Sequence, residues 1–187
     1  MVSRRRERRR ARECALALLY SSDITEQNAT DIVQDGAYPE GVRGEGITIS
    51  EYAEMLVEGV AAHLEQIDEE LSTTSENWAL GRMPLVDKAI LRVAVFEMLY
   101  VDEVPVSVAI NEAVDLAKMY GGEDESSRFV NGVLGRIARA HEEVANNEEI
   151  PIEEAPGDEV ANSEEAPSSP EASEGSVTPD DAAEAVG

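Results

Sequence analysis

The sequence predicts an all-α protein, and three observations carry that expectation. Aromatic residues make up 4% of the 187 residues, while Ala, Leu, Glu and Val dominate, a balance that favours helix over sheet. Apolar residues recur at i, i+3, i+4 and i+7 through most of the first 140 positions, the spacing of one face of an α-helix. Most of the glycines and prolines in the first 140 residues fall between the periodic stretches, where they punctuate a helical chain. The length fits one domain plus a tail, and we place the domain at residues 1–144 and the tail at 145–187.

The first helix is expected over residues 3–21. Ser3 suits its N-cap, and Ala11, Cys14, Ala15, Leu18 and Leu19 form its apolar stripe. Cations in its opening turns oppose the helix dipole, so fraying there until an anion arrives is expected. A weaker helix follows over 24–35, capped by Thr25 or Asn28. Gly36, Pro39, Gly41, Gly44 and Gly46 then make 36–47 a loop. Ser50 opens a helix with Tyr52, Leu56, Val60, His63, Leu64 and Ile67 along one side, interrupted by Ser72 to Ser75. Trp78, Leu80 and Met83 lie in a short connection.

Pro84 suits a helix start, where its missing N–H costs nothing. The stretch Leu85 to Val101 carries only Asp87, Lys88, Arg92 and Glu97 as charges. A helix apolar on nearly every side belongs in the middle of a bundle. Pro105 marks a turn, and Val106, Ile110, Ala113, Ala117 and Tyr120 form the next stripe, stopped by Gly121-Gly122. Ser126 or Ser127 can cap the last helix, whose stripe is Val130, Val133, Leu134, Ile137 and Ala138. Gly132 and Gly135 cost up to ~1 kcal/mol each inside a helix. They therefore need a reason, either close helix packing or close approach of a nucleic-acid backbone. Beyond about 145, Pro, Glu, Ser and Ala lose all periodicity, and disorder is expected.

Charge is distributed unevenly. The net charge is −25, but residues 1–141 hold 25 acids and 15 bases, while 142–187 hold 15 acids and no Lys or Arg. Seven of the bases are Arg4, Arg5, Arg6, Arg8, Arg9, Arg10 and Arg12. Guanidinium groups so crowded repel one another until anions neutralise them. RNA phosphates do so with release of counterions, and arginine also stacks on unpaired bases. The arm is thus read as a nucleic-acid site, with a solvated basic segment as the bland alternative. Lys88 and Arg92, at i and i+4, either extend that track or pair with nearby acids. Phe129 either stacks on a base or packs in the core, and Asn131 either reads a base edge or bonds local backbone. The acidic tail either competes with RNA for the arm or only solubilises the chain.

Other chemistries find little support. Cys14 is the single cysteine and sits in an apolar stripe, as a buried thiol does. His63 and His141 have no second ligand at metal spacing, so neither a metal nor a cofactor is expected. The Gly-Gly and Gly-x-x-Gly pairs lack the preceding strand and the Lys-Ser/Thr of phosphate loops, and no acid–base constellation points to an enzyme. No apolar run reaches the ~18 residues of a membrane span, and a cytoplasmic location is expected.

Three stretches together resemble the NusB family of transcription antitermination factors. They are Arg8-Arg9-Arg10-Ala11-Arg12-Glu13-Cys14-Ala15 through Tyr20, Met83-Pro84-Leu85-Val86-Asp87-Lys88-Ala89-Ile90-Leu91-Arg92, and Pro105 to Val114 continuing through Phe129-Val130-Asn131-Gly132-Val133-Leu134. The resemblance covers about residues 3–140. It implies seven helices in two packed sub-bundles, with Trp78 anchoring the connection between them. It also implies binding of the single-stranded RNA element boxA together with a small-subunit ribosomal protein, NusE. Loading onto RNA polymerase with other Nus factors would follow, chiefly in ribosomal RNA operons. The boxA contacts it implies fall on Arg4 to Arg12 and on Phe129 to Gly132, while Tyr20 and Asp87 either touch the ribosomal protein or serve the structure. Members occur as monomers and dimers, so a homodimer stays open. A similar domain fronts some ribosomal RNA methyltransferases, but those enzymes need a following Rossmann-type domain with a glycine-rich cofactor loop, and with 46 acidic, Pro-rich residues in that place a non-enzymatic protein is expected. A pure protein-interaction bundle would differ in showing no salt-dependent RNA affinity.

Overall fold

The computed structural model describes residues 4–36, 49–74, 80–122 and 124–148. Among them are seven α-helices: α1 (Arg4–Thr25), α2 (Ala29–Gln34), α3 (Glu51–Ala62), α4 (Leu64–Thr74), α5 (Leu85–Tyr100), α6 (Val106–Tyr120) and α7 (Asp124–Glu148). A single 3-10 turn, Leu80–Arg82, precedes α5.

Two groups of helices share α5. The first packs α1, α2 and α3 together, with α1 and α3 against α5. The second packs α4, α6 and α7 around the same helix. This explains why α5 carries apolar residues on every side: every residue from Ala89 to Glu97 is buried. Leu18, Leu56, Ile67, Leu71, Ile90, Leu91, Leu134 and Ile137 are all but fully enclosed. Burial of this kind contributes roughly 1.5–3 kcal/mol for each large side chain.

Local chemistry sets the helix ends. Asn28 caps α2 by accepting from the Thr30 N–H, and Ser50 caps α3 by accepting from the Ala53 N–H. Pro84 and Pro105 stand directly before α5 and α6. Gly121 closes α6, and Gly122 turns the chain with φ +83°, a left-handed conformation that glycine adopts without a Cβ penalty.

Four boundaries differ from the sequence expectation. Helix α1 runs four residues past Ser21, to Thr25, and α2 begins only after the Asn28 cap. The single helix expected from Ser50 is two, broken at His63. The His63 ring nitrogen Nδ1 lies 2.9 Å from the Gly59 carbonyl, and its ring centroid lies 4.1 Å from that of Tyr100. The side chain thus bonds back onto the helix end while its ring is drawn onto α5. Gly59 permits this arrangement, because a methyl group there would collide with the Phe96 ring. Finally, α7 starts at Asp124 and reaches Glu148. Ser126 and Ser127 are therefore buried inside the helix rather than capping it.

Most of the glycine-rich loop, Trp78 and the tail from residue 149 onward lie outside the described residues. The domain limit read at 144 falls within α7. No described helix is long and apolar enough to cross a membrane.

Candidate nucleic-acid interface

At 100° per residue, a helix must divide seven closely spaced arginines between different faces. Arg5, Arg9 and Arg12 face the protein's own acids. Arg5 Nε lies 3.5 Å from Glu112 Oε1, and Arg9 Nη1 lies 3.6 Å from Asp115 Oδ2. Arg12 is buried and directs Nε at both Glu97 oxygens, each at 2.9 Å. Its Nη1 lies 3.7 Å from Glu112 Oε2, a buried oxygen with no hydrogen bond of its own among the described residues. Tyr52 donates its hydroxyl to Glu97. The Arg8 guanidinium stands 4.6 Å above the centre of the Tyr52 ring, within range of a cation–π attraction.

Titration directions follow from this packing. Burial works to lower the Arg12 pKa, yet the Glu97 hydrogen bond and the charges of Glu97, Tyr52 and Glu112 outweigh it, so the net direction is upward. Burial, then the Glu97 hydrogen bond and charge, push the Tyr52 hydroxyl up. Both groups therefore keep their protons across the physiological range. This inner half of the arm fastens α1 to α3, α5 and α6.

Arg4, Arg6 and Arg10 make up the outer half. All three are exposed, and none has a carboxylate within 4.0 Å among the described residues. Arg6 and Arg10 are one turn apart, and the strip they begin continues through Glu13 and Ala17 to Tyr20, which is 37% exposed. Tyr120, at the end of α6, lies beside the middle of this helix. Burial and then the Glu13 charge raise its pKa, against a lowering by Arg9.

From Tyr120 the chain turns directly into α7. Gly121 approaches Ser126 so closely that a methyl group would collide with the serine hydroxyl. Ser126 in turn donates to Asp87, a buried carboxylate on the first turn of α5. The turn and the hydroxyl together hold the start of α7 against the first turn of α5. Beyond it, Phe129 is half-buried against the core, while Asn131 and Gly132 are exposed.

The remaining residues singled out from sequence sit elsewhere. Lys88 Nζ lies 3.2 Å from Asp23 Oδ2. Arg92 reaches Asp23 at 3.1 Å and forks onto Asp68 at 2.7 and 2.8 Å. These two cations tie the far end of α1 and the side of α4 to α5. For Arg92, burial lowers the pKa, but the Asp68 and Asp23 bonds and charges outweigh it and raise it. Cys14 is half-buried and burial pushes its thiol up, away from thiolate reactivity. His141 pairs with Glu70 at 3.3 Å. No cluster of metal-ligating side chains occurs among the described residues.

Asp23, Tyr52, Asp68, Glu97, Glu112 and Tyr120 were not singled out from sequence. One signal was available for Glu97: a lone acid in the apolar half of α5 must find a cation when buried.

Asp87 supplies a pH prediction. Burial raises its pKa, and the Ser126 hydrogen bond only partly opposes that. The folded protein therefore takes up this proton before the unfolded chain does. Asp87 accordingly adds stability as pH falls through its folded value, and this gain is absent at neutral pH. The stability of Asp87→Asn relative to wild type, from urea midpoints across the acid range, should be most favourable near neutrality and should shrink on acidification.

The comparisons with known proteins agree on one family. The NusB family model matches residues 9–139. The transcription antitermination protein NusB of Salinispora arenicola (strain CNS-205) is 44% identical over 131 residues, covering 70% of this chain and 94% of that protein. The solved T. maritima NusB superposes with a TM-score of 0.60 at 32% identity, covering 71% of this chain and 90% of that one. A chain in a crystal structure of antitermination factors NusB and NusE in complex with dsRNA gives a TM-score of 0.58 at 27% identity, covering 72% of this chain and 98% of its own. The chain belongs to the NusB family of non-enzymatic transcription antitermination proteins.

Proposed function

We propose that this protein binds boxA-type single-stranded RNA together with the ribosomal protein NusE and promotes antitermination in ribosomal RNA operons. RNA polymerase and other Nus factors complete the assembly, and its place of action is the cytoplasm. The observation that carries this reading is the division of the arginine arm. Arg4, Arg6 and Arg10 stay exposed and unpaired among the described residues of a chain with net charge −25. A surplus of cations on so acidic a protein calls for a polyanion. The solved NusB–NusE complex with dsRNA supports the pairing of partner and RNA.

Within this reading Arg4, Arg6 and Arg10 contact phosphates, with Arg5, exposed beside Glu112, and the half-buried Arg8 and Arg9 flanking them. Arg12, Lys88 and Arg92 act as positioning residues, since their charges are already engaged by carboxylates. Phe129, half-buried against the core, contacts a base with what remains exposed of its ring, and Asn131 offers an amide to a base. Tyr20 presents the accessible surface toward NusE, while Asp87 acts through Ser126 by holding the start of α7. The helical part of the chain, through the end of α7 at Glu148, forms the RNA-binding domain and the acidic sequence after it is an appendage. A homodimer is compatible with this reading only where it leaves the outer arginines uncovered.

Fluorescence anisotropy with a labelled boxA single strand, with and without NusE, tests the proposal. Affinity should fall steeply with salt and should rise when NusE is added. A flat salt response, or equal affinity for RNA whatever its boxA sequence in the presence of NusE, would refute it.

A further inference from the structure

The outer face of α7 carries cations that the interface described above leaves unused. Val130, Val133, Leu134 and Ile137 are buried, and the opposite side is exposed at Arg128, Gly132, Arg136 and Arg139. With Gly135 these residues lie within one stripe at helical spacing, about 17 Å long from Arg128 to Arg139. None of the three arginines has an acidic partner within 4.0 Å among the described residues. Glu125 stands before the stretch and Glu142 and Glu143 after it, all exposed, so the positive region is sharply bounded.

The two glycines have no internal explanation. A Cβ at Gly132 would meet nothing within 4 Å among the described residues, and at Gly135 it would meet only Arg139 Nη1, at 3.6 Å, an ordinary contact. Among the described residues no other helix packs closely against either position, and neither has positive φ. Alanine would fit at both and would favour the helix. Glycine inside a helix does have a use where a ligand must come close to the backbone. At Gly135 the bare backbone lies directly beneath the Arg139 guanidinium.

We propose that single-stranded RNA flanking the recognised element runs along α7, its sugar–phosphate chain lying over Gly132 and Gly135 between Arg128, Arg136 and Arg139. The inference rests on the RNA reading above and extends the contact surface well past Asn131. The contacts are to phosphate, so this track adds affinity without reading sequence. Its geometry also sets a length dependence, because an RNA that ends at the element does not reach Arg136 or Arg139.

The test compares two labelled RNAs on the full chain with NusE present. One carries the boxA element alone and the other carries the element with flanking single strand on both sides. The wild-type protein should bind the longer RNA more tightly. The double variant Arg136→Ala, Arg139→Ala should erase that increment, lower the salt slope for the longer RNA by about 1.4, at ~0.7 per phosphate engaged on a single strand, and leave the short RNA unaffected. Gly135→Ala should raise the Tm while weakening the longer RNA severalfold. A glycine kept only for folding would not separate those two readouts in opposite directions. Failure of wild type to bind the short RNA would overturn the RNA reading itself. Normal binding of the short RNA with no length increment, or with an increment that both variants retain, would overturn this proposal alone. A track that serves an acidic protein surface gives that last result.

Discussion

Glu97→Ala will destabilise the protein by about 3–5 kcal/mol, the range for removing one partner of a buried ion pair. Glu97 is 1% exposed and holds two Arg12 hydrogen bonds and the Tyr52 hydroxyl. Its removal strands a guanidinium in the interior with only Glu112 nearby, at 3.7 Å. It also leaves the Tyr52 hydroxyl without an acceptor, and burying an unsatisfied polar group carries its own penalty. Urea unfolding followed by circular dichroism measures the effect. The paired replacement Arg12→Met, Glu97→Leu should recover much of the stability, since apolar pairs of similar volume often match buried ion pairs. A paired variant as unstable as Glu97→Ala would show that the cluster contributes through more than charge compensation. The consequence reaches function, because the Arg12 anchor fixes the helix that presents Arg6 and Arg10.

Arg4→Ala, Arg6→Ala, Arg10→Ala combined should lower the salt slope of RNA binding by about 2, at ~0.7 for each phosphate no longer neutralised. Affinity at low salt should fall by at least tenfold. Stability should stay within about 0.5 kcal/mol of wild type, as for other exposed substitutions. The complementary variant Arg5→Ala, Arg9→Ala removes cations that already face Glu112 and Asp115, so its slope should change less. Equal slope changes for the two sets would contradict the division of the arm, and an unchanged slope for the first would remove the arm from the interface. Salt titrations by anisotropy on each variant decide between these outcomes.

Periodicity made the fold legible. The stripes of α1, α3, α6 and α7 and the all-round apolar character of α5 each state where a helix lies and how deeply. Pro84, Pro105 and Gly121 mark ends by local steric rules, and the structure uses all three. The break at His63 was hidden, because spacing continues smoothly through Leu64 and Ile67. What divides the helix is a contact with Tyr100, 37 positions away. The serine pair before Arg128 looked like a cap for a similar reason: the Asp87 carboxylate that draws Ser126 inward belongs to another helix.

The interface divides along the same line. A cluster of arginines is visible in any reading of the chain, but which of them are free depends on acids 85 to 107 residues later. Lys88 and Arg92 at i and i+4 allowed two readings, and the structure pairs both with Asp23, a residue without any distinguishing local pattern. Gly132 and Gly135 raised a question that sequence alone could not answer. Among the described residues nothing packs closely on Gly132, and only the Arg139 side chain comes near Gly135, so close helix packing is not their reason there.

Helix α1 is fastened at its middle by Arg12 and near its far end by Lys88 and Arg92 on Asp23. Its outer guanidinium groups therefore project from a rod that cannot readily adjust its pitch, with Arg6 and Arg10 about 6 Å apart along the axis. The conformational adjustment on complex formation falls on the nucleic acid. A strand that already lies open meets these fixed charges at little entropic cost, whereas one folded into a hairpin must first be melted. Under the proposed RNA reading, transcript structure around the element would regulate assembly through its melting free energy.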